Sequence, residues 1–169
     1  PHPAFAPCRN HGPAPENAVV PIPAGHVHLG RERDEPVYGW DNEYGRHEAE
    51  VAAFAASRYL VSNGEYLAFV EDGGYGDDAL WDEEGRGWRH FARTAHPTFW
   101  VRNGDAWQLR LLTEEVPMPW DWPVEVNCHE ARAFCNWKSR ATGEPVRLPT
   151  EDEWQRLYGH CGAPAVAPD

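Results

Sequence analysis

Histidine and cysteine are the residues of this chain that could bind a metal ion, and the sequence contains nine and four of them. Two histidines four residues apart on a helix present both rings on one face, but no histidine here has another one four residues later. His26 and His28 would share one face of a strand, where simple exposure to solvent is the alternative to metal binding. We therefore predict no metal site in this chain.

The cysteines do not include a CxxC pair, which argues against a zinc ribbon. They are Cys8, Cys128, Cys135 and Cys161. If residues 128–135 are helical, the middle two lie about 10.5 Å apart along the helix axis, too far for a disulfide. We predict that both are buried free thiols. The chain also lacks a GxSxG motif, and residues 73–76, GGYG, lack the lysine of a phosphate-binding loop.

Two short segments rich in tryptophan and acidic residues could line a ligand site. Prolines are expected to hold residues 117–123, PMPWDWP, extended, with both tryptophans on one side and the aspartate on the other. The loop at residues 39–45, GWDNEYG, offers a second set of polar groups. The candidate substrate-binding residues are Trp40, Asp41, Asn42, Trp120, Asp121 and Trp122. The alternatives are that the tryptophans cover the core and that the polar side chains hold the loop.

Charge and composition exclude several classes of function. The 169 residues include 27 acidic and 15 basic side chains, which gives a formal charge of −12. A nucleic-acid binder needs a basic face to meet phosphates, and an anionic membrane surface would repel this chain. The apolar runs are too short for a transmembrane helix or a signal peptide. We expect a soluble cytoplasmic protein that binds neither nucleic acid nor membrane.

Short elements are predicted between two flexible ends. Residues 1–18 hold five prolines and are predicted to be a linker or arm from a preceding domain, and residues 159–169 a flexible tail. Residues 19–29 have strand character broken by prolines, whereas residues 48–61 fit either a helix or a pair of strands. Residues 106–111 alternate as a half-buried strand does. The pattern predicts an α+β domain that is rich in coil.

Three helix starts share one capping pattern, in which a Ser, Asn or Thr residue with a capping side-chain oxygen stands three residues before a glutamate. The capping residues are Ser62, Asn127 and Thr150, and the predicted helix ends are at Gly73, near Gly143 and at Gly159. His129 falls in the first turn of the second helix, where we expect exposure to solvent. The acidic run at residues 82–84 is interpreted as a solvated surface, because it lacks the ligand spacing of a calcium loop.

Four motifs resemble the domains similar to formylglycine-generating enzyme. They are YGWDNEYG at residues 38–45, LVSNGEYLAFV at 60–70, PVEVNCHEARAFCNW at 123–137 and RLPTEDEW at 147–154. Within that superfamily, GGY at 73–75, HPTFW at 96–100 and PMPWDWPVEVN at 117–127 are most similar to the ovothiol synthases, which are 5-histidylcysteine sulfoxide synthases. The ergothioneine sulfoxide synthases share the GGY and FW features but not the PMPWDWPVEVN segment.

The resemblance implies the formylglycine-generating-enzyme fold, related to C-type lectins, across residues 19–158. It implies an iron(II) enzyme that uses O2 to join the sulfur of cysteine to an imidazole carbon of histidine and forms a sulfoxide. One alternative is an ergothioneine sulfoxide synthase, which takes a trimethylated histidine. Another is a non-catalytic ligand-binding module on the same fold.

The resemblance also implies residues that this chain lacks. The family's iron ligands form an HxxxHxE triad in a preceding DinB-like helical domain, so we expect both the ligands and the catalytic residues outside this chain. The family's domain continues past RLPTEDEW, and this chain begins with Pro1 and has Met118 as its only methionine. We expect a truncated, amino-terminal part of the domain that is inactive alone. Its candidate residues would face the substrate or the helical domain.

Overall fold

The computed structural model describes residues 12–34, 36 and 38–161, which divide into two compact units. Unit 1 consists of residues 12–17 and 59–148; unit 2 consists of residues 18–58, without positions 35 and 37, and 149–161. Most of the predicted arm and tail lies outside the described residues. Both units combine helices with short antiparallel strands, so the described part of the chain is α+β with much coil, as predicted.

The described residues contain seven strands and four α-helices. The strands are β1 (Val19–Ile22), β2 (Gly25–Leu29), β3 (His47–Val51), β4 (Phe54–Ser57), β5 (Trp100–Asn103), β6 (Ala106–Arg110) and β7 (Glu115–Pro117). The helices are α1 (Asn63–Glu71), α2 (Glu83–Ala92), α3 (Cys128–Thr142) and α4 (Glu151–Cys161). No helix among these residues is long and apolar enough to cross a membrane.

Unit 2 contains two antiparallel strand pairs and α4. β1 pairs with β4, and β2 pairs with β3, so the ambiguous stretch at residues 48–61 forms strands rather than a helix. Pro21 lies in β1, which has β4 as its one partner, so its missing N–H faces no second strand. Arg156 of α4 donates to the carbonyls of Pro23 (2.9 Å) and Ala24 (3.3 Å), which fixes the helix against the β1–β2 turn.

Unit 1 packs α1, α2 and α3 with the antiparallel sheet β5-β6-β7 around a largely aromatic core. The buried core residues are Tyr66, Phe69, Tyr75, Leu80, Trp81, Trp100, Met118, Ala133 and Phe134. β6 is the half-buried strand that the alternation predicted. Gly74 follows α1 where a Cβ would collide with the ring of Phe69, so the close approach of this turn to the core needs a glycine.

The three capped helix starts are confirmed. The Ser62 hydroxyl accepts from the backbone N–H of Glu65, and the Asn127 and Thr150 caps each exchange hydrogen bonds with the glutamate three residues later. Gly73 and Gly143 have φ of +76°, and they end α1 and α3 as predicted. The end predicted at Gly159 is wrong, because α4 continues through that glycine to Cys161.

Residues 82–84 are exposed, as predicted, but the helix that begins there was not identified from the sequence. Asp82 is the N-cap of α2, and its Oδ1 accepts from the backbone N–H of Gly85 at 2.7 Å. That hydrogen bond lowers the pKa of the Asp82 carboxyl. The glycines at positions 85 and 87 weaken the helical signal in the sequence, and the helix is held instead by its packing in unit 1. Glu83 and Glu84 are exposed in its first turn, where they suit the helix dipole.

The prediction for the cysteine pair of α3 is half right. Cys135 is a buried free thiol, and burial raises its pKa. Cys128 is also free but exposed, because it lies at the first position of α3 on the side away from the core. Cys8 lies outside the described residues.

Candidate functional site

Residues 119–122 form a tight turn rather than an extended segment. The backbone N–H of Trp122 donates to the carbonyl of Pro119 at 3.1 Å, which places Trp120 and Asp121 at the two central positions. The prediction of an extended segment, with both tryptophans on one side, is therefore wrong. The prolines at 119 and 123 flank this tryptophan turn instead of stretching it.

The amino terminus of α1 holds the tryptophan turn. The backbone N–H groups of Asn63 and Gly64 donate to the carbonyls of Trp122 (2.8 Å) and Trp120 (2.9 Å). These N–H groups have no partner within the helix, so the turn satisfies groups that would otherwise be orphaned. A Cβ on Gly64 would lie 2.6 Å from Ala14 and 3.2 Å from the carbonyl of Trp120, so only glycine allows this approach.

The side chain of Asn63 links the turn to the core. Asn63 is fully buried; its Nδ2 donates to the carbonyl of Pro119 at 2.9 Å, and its Oδ1 accepts from the indole N–H of Trp100 at 3.2 Å. Trp120 packs edge-on against Trp100, with ring centroids 6.0 Å apart. The turn is therefore fixed at both its backbone and its aromatic side chain.

Asp121 is half-buried and has one satisfied carboxylate oxygen. Its Oδ2 accepts from the backbone N–H of Gly12 at 2.9 Å, whereas its Oδ1 is buried without a hydrogen-bond partner. Five residues further along, Asn17 exchanges hydrogen bonds with the backbone of Tyr59, so the chain is held against unit 1 at both Gly12 and Asn17. The orphaned oxygen can accept a hydrogen bond that no described residue supplies.

The other candidate residues lie in unit 2, where Trp40 is the N-cap of a one-turn 3-10 helix at Asp41–Glu43. Glu43 Oε2 accepts from the backbone N–H of Trp40 at 2.6 Å. A polar side chain therefore holds this loop, which was the alternative to substrate binding in the sequence analysis. Trp40 is 68% exposed and Asp41 and Asn42 are exposed. Three of the six candidates therefore belong to unit 1 and three to unit 2.

A buried polar centre in unit 1 was not predicted from the sequence. Glu130, expected as the partner of the Asn127 cap, is only 2% exposed, and its Oε1 also accepts from the hydroxyl of Tyr75 at 2.6 Å. The hydroxyl of Tyr66 lies 3.4 Å from that of Tyr75. Burial raises the pKa of both tyrosines. The capping pattern signalled where Glu130 lies but not that it faces inward.

His129 is not the exposed residue that was expected. Its ring is half-buried and stacks on Trp88 of α2, with centroids 6.0 Å apart and planes 25° from parallel, and its Nδ1 is buried without a partner. His26 and His28 are exposed on β2, and His26 lies 3.7 Å from Glu50.

Iron is the metal that the family resemblance implies, and the described residues do not fit it. Within residues 12–34, 36 and 38–161, no three His, Cys, Asp or Glu side chains come together in a way that could hold a metal ion. Iron binding by non-haem enzymes needs such a cluster. The described residues therefore do not form an iron site by themselves.

The family of this chain follows from its sequence match. The sulfatase-modifying factor enzyme 1-like domain family matches residues 6–159, and the chain belongs to that family. The small antiparallel strand pairs and capped helices described above are its α+β framework.

The relatives include two kinds of enzyme. The hercynine oxygenase of Mycobacterium tuberculosis is 39% identical over 127 residues, 73% of this chain and 27% of the relative. The hercynine oxygenase of Mycolicibacterium smegmatis is 31% identical over 145 residues, 85% of this chain and 32% of the relative. The formylglycine-generating enzyme of Bos taurus is 31% identical over 157 residues, 85% of this chain and 40% of the relative. The chain thus spans well under half of each relative.

Proposed function

We propose that this chain is part of an iron(II)- and O2-dependent sulfoxide synthase that acts on cysteine and histidine, as in ovothiol biosynthesis. The thiol S–H and an imidazole C–H are broken, a C–S bond forms, and the sulfur gains one oxygen. One O2 is reduced by four electrons, and its second oxygen leaves with the two hydrogens as water. Iron, when bound, would bring thiolate and O2 together.

The enzymatic relatives support oxygen chemistry of this kind. Two of them are named hercynine oxygenases, and the match to them covers most of this chain. Because the chain spans about a quarter to two fifths of these relatives, the activity and substrates of the whole protein are part of the proposal. The iron ligands are assigned to an HxxxHxE motif in a preceding DinB-like helical domain.

The observation that carries the choice of histidine is the segment at residues 117–127, PMPWDWPVEVN. It resembles the ovothiol synthases and differs from the ergothioneine sulfoxide synthases. In the structure this segment contains the buried Met118 and Pro119, the tryptophan turn and the Asn127 cap of α3. A segment that is bonded to two helices at once presents its central residues in one fixed geometry.

A second candidate is a synthase that takes a trimethylated histidine, which the hercynine oxygenase relatives favour. A quaternary ammonium group has no N–H to donate, so its pocket depends on aromatic faces. A free α-ammonium group instead donates hydrogen bonds and suits a carboxylate acceptor. Histidine and trimethylated histidine therefore require different side chains in the substrate pocket.

In this proposal, the six candidate residues face the substrate or the preceding helical domain. The two sets are Trp40, Asp41 and Asn42 in unit 2, and Trp120, Asp121 and Trp122 in unit 1. Asp121 is the candidate with the clearest unsatisfied group, because one of its carboxylate oxygens has no partner among the described residues. Catalytic residues are assigned outside this chain.

The test uses the complete protein that contains this chain, reconstituted with iron(II) and supplied with cysteine, histidine and O2. We expect a product with the mass of both amino acids plus one oxygen minus two hydrogens, formed with uptake of one O2 per product. Parallel reactions without cysteine or without iron are the controls. Absence of that product from an iron-loaded, folded protein would refute the proposal.

A further inference from the structure

The tryptophan and tyrosine side chains of unit 1 form a continuous series. Trp107 and Trp120 both lie against Trp100, with ring centroids 5.3 Å and 6.0 Å from it. Trp100 lies 6.3 Å from Tyr66, centroid to centroid. The hydroxyls of Tyr66 and Tyr75 are 3.4 Å apart. These five residues are all of the types that one-electron oxidants attack most readily, and each contacts at least one other of the five.

The series continues from Tyr75 to the other side of the core. The ring of Tyr75 lies 5.5 Å from that of Trp81, and Trp81 lies 6.2 Å from Trp88. The members at both ends, Trp88 and the pair Trp107 and Trp120, are half-buried, whereas the four between them are buried. The arrangement therefore crosses the core from one partly exposed end to another without passing through phenylalanine.

Tyr75 has what a tyrosine needs for oxidation, which is a base for its phenolic proton. Its hydroxyl donates to Glu130 Oε1 at 2.6 Å, and Glu130 Oε2 is held by the backbone N–H of Asn127 at 2.9 Å. When an electron leaves Tyr75 and the proton moves to Glu130, the products are a neutral tyrosyl radical and a neutral carboxylic acid. The step removes a buried negative charge instead of creating a positive one, which favours it in the interior.

Two tryptophans of the series are less suited to hold the oxidised state. The guanidinium of Arg89 lies 5.5 Å above the ring of Trp81, and that of Arg102 lies 4.3 Å above Trp107. A neighbouring cation disfavours positive charge on a tryptophan ring. Arg89 also donates to the backbone carbonyl of Tyr75 at 2.6 Å, but oxidation of Tyr75 with proton transfer creates no positive charge. The two cations therefore disfavour oxidation of Trp81 and Trp107 more than that of Tyr75.

We infer that Tyr75, coupled to Glu130, is a redox-active tyrosine that Tyr66 and Trp100 connect to the tryptophan turn. A one-electron oxidant takes the electron of Tyr75 and is itself reduced, while the proton passes to Glu130. A reductant of the thiol or ascorbate class returns the electron, and Glu130 returns the proton. The use of this device, to remove stray oxidising equivalents produced in O2 chemistry, rests on the proposed function. Formation of the radical does not.

The test is a photochemical oxidation of the full chain without iron, so its result is independent of the sulfoxide assay. Flash-generated ruthenium(III) tris(bipyridine) serves as the oxidant, and samples frozen after the flash are read by electron paramagnetic resonance. We expect a tyrosyl radical that is lost in Tyr75→Phe and kept in Tyr158→Phe, which alters a half-exposed tyrosine of unit 2. An unchanged tyrosyl signal in a folded Tyr75→Phe chain would overturn the inference.

Two further variants keep the inference testable if Tyr75→Phe does not fold. Glu130→Gln removes the proton acceptor and should lower the yield of the radical at least tenfold. Trp100→Phe leaves the pair of Tyr75 and Glu130 intact and should slow formation of the radical several-fold. Circular dichroism confirms the fold of each variant. Yields and rates equal to those of the unaltered chain in both variants would refute the assigned base and the assigned path.

Discussion

The side-chain amide of Asn63 donates a hydrogen bond of 2.9 Å to the backbone carbonyl of Pro119, 56 positions further along the chain. The same amide accepts from the indole of Trp100, so one fully buried side chain joins α1, the tryptophan turn and β5. It acts as a positioning residue for the turn that carries Asp121.

Asn63→Ala should destabilise unit 1 by about 1–3 kcal/mol, because it leaves the buried indole N–H of Trp100 without a partner and removes one of the two hydrogen bonds to the carbonyl of Pro119. The midpoint of urea denaturation, followed by tryptophan fluorescence, measures the loss. Asn103→Ala, at an exposed position of β5, is the matched control and should shift the free energy of unfolding by less than about 0.5 kcal/mol. Equal effects of the two substitutions would show that Asn63 does not hold the turn.

Gly74→Ala should destabilise the protein by about 1–3 kcal/mol, since the added Cβ collides with the ring of Phe69 in a packed core. Gly87→Ala is the control, because a Cβ at that position of α2 meets open space. The control should raise stability by about 0.5–1 kcal/mol, as alanine favours a helix over glycine. Thermal unfolding followed by circular dichroism shows whether each substitution lowers or raises the stability. A Gly74→Ala protein that melts at the original temperature would contradict the packing described here.

Alkaline pH should destabilise unit 1. Burial raises the pKa of Tyr66 and Tyr75 above the ordinary value of 10.0, so the folded state holds these protons more firmly than the unfolded state does. Their contribution is complete below about pH 10 and is lost as the pH rises above it, by up to about 1.4 kcal/mol per pH unit for each tyrosine. Urea denaturation midpoints across this range measure the slope.

Tyr75→Phe separates this effect from general alkaline denaturation. The variant should show a shallower decline above about pH 10, whereas Tyr158→Phe, in α4 of unit 2, should decline as the unaltered chain does. Removal of the hydroxyl also leaves Glu130 without one partner and should cost about 1–3 kcal/mol near neutral pH. Identical slopes in all three proteins would mean that the buried tyrosines do not control alkaline stability.

Local patterns predicted the helix starts well, because a cap and its glutamate lie within one turn of each other. Ser62, Asn127 and Thr150 all cap helices as expected. The tryptophan turn could not be predicted, since its shape depends on N–H groups of α1 that are far away in sequence. The proline-rich sequence suggested extension, and the distant hydrogen bonds determined a turn instead.

In the candidate site, too, contacts between residues far apart in sequence could not be predicted. Trp40, Asp41 and Asn42 could be placed in a surface loop from sequence, and they lie in one. The inward-facing Glu130 could not be predicted, because its second partner, Tyr75, belongs to another segment. The burial of His129 was missed for the same reason, since Trp88 of α2 provides its stacking surface.

Asp121→Asn tests the proposed role of the tryptophan turn in the complete protein. If the half-buried carboxylate of Asp121 binds the substrate's ammonium group, the substitution should raise KM for histidine about tenfold and change kcat much less. Asp105→Asn, at an exposed turn between β5 and β6, is the control and should leave both constants unchanged. An unchanged KM in Asp121→Asn would remove Asp121 from the substrate site.

The most direct measurement is a competition between histidine and trimethylated histidine in one reaction of the complete protein with cysteine, iron(II) and O2. The ratio of the two sulfoxide products at equal substrate concentrations equals the ratio of the kcat/KM values. We predict that the product from unmethylated histidine predominates at least tenfold. Predominance of the trimethylated product would assign the protein to the other class of synthase, and the formation of neither product would contradict the proposed chemistry altogether.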